Sequence, residues 1–242
     1  MAHLLLANGA DVNAGSGEYG TALVAASAQG HHQIVELLLD HGANPNLAGG
    51  EYGSALQAAL AQGHLDTVRL LLEHGADVNA AGGKYGTALV AASAQGHRDM
   101  AKLLVESGAD VNAAGGEYGS ALVAASAQGH RDMVKLLLES GADVNAAGRK
   151  YGGALVAASA QGHYDIVGPL LESGADVNAA GGKYGSALQA VSAQGHLTTV
   201  RLLLKNGADV NAVGGEHGSA LEAASAGGHE DIVQILRKNG AT

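Results

Sequence analysis

The apolar and polar positions of this chain fall into short helical stretches punctuated by glycine. Residues 87–95 (T-A-L-V-A-A-S-A-Q) are apolar almost throughout and predict a short helix, capped by Thr87 and ended by Gly96, with Leu89 and Ala92 on its buried face. Residues 99–106 predict a second helix. Met100, Leu103 and Leu104 follow i, i+3, i+4 spacing, and Asp99 sits near the positive N-terminal end. Gly108 stops it. Residues 112–119 (N-A-A-G-G-E-Y-G) are too rich in glycine for a helix and predict an extended, hairpin-like finger.

This helix, turn, helix, finger pattern recurs. The string G-A-D-V-N or a close variant begins at Gly9, Gly42, Gly75, Gly108, Gly141, Gly174 and Gly207, each 33 residues after the last, and Gly240 opens a further copy. Gly-His keeps the same register at His31, His64, His97, His130, His163, His196 and His229. The expectation is one array over 1–242: a partial repeat at 1–15, then repeats 16–48, 49–81, 82–114, 115–147, 148–180, 181–213 and 214–242. Helices this short do not persist alone in water, so each unit must bury its apolar face against its neighbours. Outermost units of such arrays need a polar face; Arg237 and Lys238 supply one, whereas the apolar helix at 1–8 does not. The chain therefore reads as a piece of a longer array, with self-association through the uncapped N-terminal helix as an expectation.

Composition sharpens the picture. Phe, Trp and Cys are absent while Gly numbers 38, so the core must be built from Ala, Val and Leu in many thin layers. Without cysteine there is no disulfide, thiolate metal site or cysteine nucleophile, which fits a cytoplasmic, intracellular protein. No apolar run approaches the roughly 18 residues of a membrane span. A formal charge of -10 argues against nucleic acid, whose binding relies on clustered Lys and Arg.

A 33-residue unit with G-H between its helices and L-L-x-x-G-A-D-V-N-A after them resembles the ankyrin repeat over essentially the whole chain. The resemblance implies an all-α helix-turn-helix solenoid whose fingers and inner helices form a concave surface for partner proteins, without catalysis or cofactor. Three departures mark this chain. The family's T-P-L-H appears as Thr/Ser-Ala-Leu followed by Val, Gln or Glu. Capping boxes are expected for Ser54 with Gln57, Ser186 with Gln189 and Ser219 with Glu222, whereas Val24, Val90, Val123 and Val156 lack that arm and Gly153 gives the weakest cap. Gly82, Gly115 and Gly181 stand at the usual Asp position of the finger, and a tyrosine such as Tyr85 or Tyr118 precedes the last finger glycine. This G-G-x-Y-G-[ST]-A-L variant is similar to the arrays of fungal NOD-like (NACHT) receptors.

The candidate chemistry is mostly structural. The glycine-rich fingers lack the lysine and preceding strand of a phosphate loop. The Gly-His histidines lie one per layer, too far apart to share a metal, and are expected to tie the turn between the helices. Ser27, Ser93, Ser126, Ser159, Ser192 and Ser225 are equivalent positions on equivalent helices, whereas a catalytic serine needs a unique pocket. Gly168-Pro169 falls inside a second helix and predicts a kink or a late start.

Three rows remain as candidates for binding a partner. The tyrosine ladder is Tyr19, Tyr52, Tyr85, Tyr118, Tyr151 and Tyr184, completed by His217; tyrosine suits interfaces, although packing of each ring on the adjoining finger is the plainer expectation. Just before it stand Glu18, Glu51, Lys84, Glu117, Lys150, Lys183 and Glu216, at a finger position that the resemblance makes exposed. The third row, at the end of the first helix, is Gln29, Gln62, Gln95, Gln128, Gln161 and Gln194, with Gly227 last. The leading expectation is a protein-binding module from a larger receptor-like or scaffold protein. The other is a structural spacer or self-associating array, which the near-identity of the units would suit.

Overall fold

The computed structural model describes residues 2–15 and 17–242. They form two compact units, divided between residues 117 and 118. The first unit carries α1 (Ala2–Ala7), α2 (Ala22–Ala28), α3 (His32–Asp40), α4 (Ala55–Gln62), α5 (Leu65–Glu73), α6 (Ala88–Gln95) and α7 (Arg98–Glu106). The second carries α8 (Ala121–Gln128), α9 (Arg131–Glu139), α10 (Ala154–Gln161), α11 (Tyr164–Glu172), strands β1 (Ala180–Gly181) and β2 (Gly185–Ser186), then α12 (Ala187–Gln194), α13 (Leu197–Lys205), α14 (Ala220–Ala226) and α15 (Glu230–Lys238).

Within each unit the first helices of successive repeats pack side by side, α2 on α4 on α6 and α8 on α10 on α12 on α14, while each packs against its own second helix. Alanine makes this possible, because small side chains let helix axes approach closely. The inner helices α4, α6, α8 and α10 are buried nearly all round, not on one face: every residue from Ala88 to Ala94 is buried, Leu89 and Ala92 among them, whereas α14 buries only Ala220, Ala223 and Ala224. The second helices are amphipathic. In α7 the buried residues are Met100, Ala101 and Leu104. Leu103, which shares their helical spacing, is only half-buried. The helix also starts one residue early, at Arg98.

The caps divide as the side chains allow. Thr21, Ser54, Thr87, Ser120, Ser186 and Ser219 each accept the backbone N–H three residues on. Gly153 makes no side-chain cap. Full capping boxes form at Ser186 with Gln189 and at Ser219 with Glu222. At Ser54 the expected box does not close. Gln57 turns its amide toward the next finger, donating from Nε2 to the carbonyls of Ala80 (3.0 Å) and Gly86 (3.3 Å). Gln189 manages both tasks, accepting from Ser186 N at 2.6 Å while Nε2 reaches the carbonyls of Ala212, Gly214 and Gly218.

Asparagine supplies the regular bond between repeats. Asn79 Nδ2 donates to the Gly108 carbonyl (3.1 Å) and its Oδ1 accepts from Asp110 N (2.8 Å). Asn13, Asn46, Asn145 and Asn178 make the same pair of bonds to the repeat that follows. The aspartate of the string, as Asp77, accepts from Asn79 N and shapes the turn.

Three of the histidines act between repeats. None caps its own helix; His64, His163 and His229 instead place Nε2 at 3.3, 3.2 and 3.1 Å from the carbonyls of Ala28, Ala127 and Ala193 in the preceding repeat. Glycine makes room for them. Gly129 ends α8 at φ +79, and a Cβ there would meet the His163 ring at 2.7 Å.

Pro169 does not delay its helix. α11 begins at Tyr164, the position equivalent to Arg131 of α9, and runs unbroken for nine residues. Ile166, Val167 and Leu170 are fully buried, and their packing outweighs the roughly 3 kcal/mol that an internal proline costs.

Candidate functional site

Each finger is a tight hairpin closed by glycines. Gly49 N donates to Gly53 O (2.7 Å), Gly82 N to Gly86 O (2.8 Å) and Gly214 N to Gly218 O (2.7 Å), while Ala180 and Gly181 pair antiparallel with Ser186 and Gly185. Successive fingers then bond to each other at their tips. Lys84 N donates to Glu51 O (2.9 Å) and Glu117 N to Lys84 O (3.2 Å) in the first unit, and Glu216 N to Lys183 O (2.8 Å) in the second. The charged finger row is therefore a backbone ladder as well from Glu51 to Glu117 and from Lys183 to Glu216, and its side chains Glu18, Glu51, Lys84, Glu117, Lys150, Lys183 and Glu216 are exposed. Sequence reasoning missed this ladder, because no side chain signals a backbone contact between residues 33 apart.

The tyrosine and glutamine rows meet. Gln62 Nε2 donates to Tyr52 Oη (2.9 Å) and Gln95 to Tyr85 (3.0 Å) in the first unit; Gln128 to Tyr118 (2.6 Å) and Gln161 to Tyr151 (3.4 Å) in the second. Finger and inner-helix end are thus tied across ten residues of sequence, a spacing that neither helical nor strand periodicity singles out. Gln29 and Gln194 are exposed at the same helix position, and Gly227 ends the row without a side chain.

The rings are half-buried, apart from Tyr151, which is 5% exposed, while His217 is exposed. Tyr19 stacks on Tyr52 and Tyr151 on Tyr184, with centroids 6.4 and 6.2 Å apart. Lysines also lie over the rings. Lys84 Nζ lies 5.2 and 5.0 Å from the centroids of Tyr52 and Tyr85 and 2.7 Å from Glu51 Oε1. The bond to Glu51 raises the Lys84 pKa above its ordinary value. Lys150 and Lys183 sit over Tyr151 and Tyr184 at 5.3 and 4.7 Å. Chemically the surface offers amides, phenols and charges of both signs held on hydrogen-bonded hairpins.

The other candidates lie elsewhere. Ser27, Ser93, Ser126, Ser159 and Ser192 are fully buried, and their hydroxyls have no hydrogen-bond partner. Ser225 is exposed and donates to the Leu221 carbonyl. Among the described residues no three of His, Asp and Glu come together as a metal site, and no helix is long and apolar enough to cross a membrane.

Repeated helix-turn-helix pairs with glycine-closed fingers, tied by asparagine and histidine to the neighbouring repeat, define a repeat protein whose stability lies in nearest-neighbour contacts. The family model for ankyrin repeats matches residues 1–82, 50–115, 80–148, 115–181 and 154–242, so the chain belongs to the ankyrin-repeat family. It is similar to the crystal structure of the human ASB11 ankyrin repeat domain, with TM-score 0.76 and 28% identity over 89% of this chain and 97% of that one. No curated protein sequence matches the chain. Ankyrin repeats generally mediate protein-protein interaction and are typically not enzymes.

Proposed function

We propose that this chain is a protein-recognition module whose fingers and inner-helix ends, the concave side of an ankyrin array, grip a partner protein. The observation that carries the reading is the set of tyrosine-glutamine bonds, Tyr52 to Gln62, Tyr85 to Gln95, Tyr118 to Gln128 and Tyr151 to Gln161. They tie the exposed end of the inner helix to the finger in each unit, beside the exposed finger charges, and hold the rings in place. Fixed tyrosines bind at low entropic cost, and the charged tips beside them select the partner's charges. The contact residues proposed are the tyrosine, glutamine and finger-charge rows. The finger motif supports a place in the cytoplasm within a larger receptor-like protein, on its similarity to fungal NOD-like receptors. The net charge of -10 supports a protein partner over nucleic acid.

The test is selection of binders from a displayed protein library, followed by counter-screening. Binders should be lost on a variant carrying Gln62→Ala, Gln95→Ala and Lys84→Ala and kept on one carrying Lys102→Ala and Lys135→Ala, which alters only the second helices. Binders indifferent to the first variant overturn the reading. The identity of α6, α8 and α10, each A-L-V-A-A-S-A-Q, favours a second reading as a spacer or self-associating array. Sedimentation velocity separates the two: concentration-dependent association that survives the first variant moves self-assembly ahead.

A further inference from the structure

We propose that the groove between α13 and α15 binds an acidic, extended segment of a partner protein. This groove is lined by Arg201, Lys205, Lys238 and Asn239 around Leu204 and Ile235, with a volume of about 430 Å3 and no carboxylate in its wall. Three cations facing one groove are unexpected in a chain of net charge -10. None of Arg201, Lys205 and Lys238 makes an ion pair among the described residues.

The pattern along the repeats makes the feature specific. The last residue of the second helix is acidic in α3, α5, α7, α9 and α11, as Asp40, Glu73, Glu106, Glu139 and Glu172, and becomes Lys205 in α13 and Lys238 in α15. In α7 and α9 that acid pairs with a lysine one turn earlier, Lys102 with Glu106 and Lys135 with Glu139. In α13 the equivalent couple is Arg201 and Lys205, two like charges at i, i+4, an arrangement that disfavours the helix. The negative end of the helix dipole welcomes a cation in the last turn, which suits Lys205 and Lys238. It does not account for Arg201, a turn further back, or for a wall without acids.

Leu204 and Ile235 are half-buried between the cations and form an apolar floor. Packed helix axes lie about 8–10 Å apart, a span that two carboxylates reach when they are two or three residues apart on an extended chain rising about 3.3 Å per residue. An apolar side chain on the same face of that segment rests on Leu204 and Ile235. This surface belongs to the outer helices. Its success or failure leaves the finger and inner-helix reading untouched.

The probe is a fluorescein-labelled peptide of alternating Glu, Leu and Ser, against the same peptide with Gln for Glu, followed by anisotropy. The Glu peptide should bind, weakening as salt rises, and the Gln peptide should not. The double variant Lys205→Glu/Lys238→Glu should lose about tenfold or more in affinity. Lys205→Gln/Lys238→Gln, which keeps a neutral helix end, should lose about threefold to fivefold. Lys102→Glu, whose lysine lies outside the groove, should change affinity by less than about twofold. Absence of binding to the Glu peptide, equal binding of the Gln peptide, or full affinity in the folded Lys→Gln variant overturns the proposal.

Discussion

Gly75 and Gly86 have nearly the same backbone angle, φ +79 and +82, yet their surroundings differ completely. A Cβ at Gly75 meets nothing within 4 Å, whereas one at Gly86 runs into the backbone of Gly115 and Gly116 in the next finger. Gly75→Ala therefore carries only the left-handed backbone penalty of about 1–2 kcal/mol, partly offset by the loss of unfolded-state freedom, for a net of about 1 kcal/mol. Gly86→Ala carries the same penalty and must also push the fingers apart. That movement strains the bond from Gly82 N to Gly86 O (2.8 Å) and the one from Glu117 N to Lys84 O (3.2 Å). At about 1 kcal/mol each, these losses bring the total to about 3 kcal/mol. For a chain of this length the expected Tm drops are about 3 °C for Gly75→Ala and about 9 °C for Gly86→Ala. Thermal unfolding measures both, and amide exchange at Glu117, faster only in Gly86→Ala, locates the effect at the finger ladder. Equal destabilisation by the two substitutions would refute the close-approach argument and leave backbone angle as the sole reason for these glycines.

Other substitutions test the interior and the pH response. Ser93→Ala removes a fully buried hydroxyl that has no partner and should stabilise by about 1 kcal/mol in urea unfolding; a loss of stability would mean the hydroxyl is satisfied in solution. Gln189→Leu breaks the bond to Ser186 N and the bonds to three carbonyls of the following finger, and should cost about 2–4 kcal/mol; a cost below that of Gln62→Ala would contradict its bridging role. Burial, then the nearby charge of His229, lowers the pKa of His196 from its ordinary 6.5. The unfolded chain then takes up a proton before the folded one, so stability is complete above pH 6.5 and falls as the pH drops through that value toward the lowered one. His196→Asn should flatten that acid limb in pH-dependent melting, and an unchanged limb would assign it to other groups.

Much of the fold was legible because its signals are local and recur. The hydroxyl caps at Thr87 and Ser120, the left-handed glycines such as Gly96 and Gly129, and the glycine-closed fingers follow from residue types at short spacing. The candidate rows were legible as rows, and the structure puts their charges and glutamines at the surface. Where the reading departed, a second layer decided. Gln57 looked like a capping arm because Ser54 stands three residues before it, but its amide is turned to the carbonyls of Ala80 and Gly86 at the next finger, and no box with Ser54 closes. Leu103 fits the helical spacing of a core residue, yet it stays half-buried while Met100, Ala101 and Leu104 are buried. Pro169 breaks a local rule that the burial of Ile166, Val167 and Leu170 overrides.

The 33-residue register, the helix and finger identities and the small-residue core are properties of the sequence alone, since each rests on a period or on the conformational limits of single residues. Tertiary structure decided which repeat each polar side chain serves. His64 turns to Ala28, Asn79 to Gly108 and Asp110, and Gln95 to Tyr85, while the fingertips pair through backbone. These choices depend on the distance between neighbouring layers, which is set by how closely alanine-lined helices can pack. A linear pattern records which residues repeat, and only packing decides which of them touch.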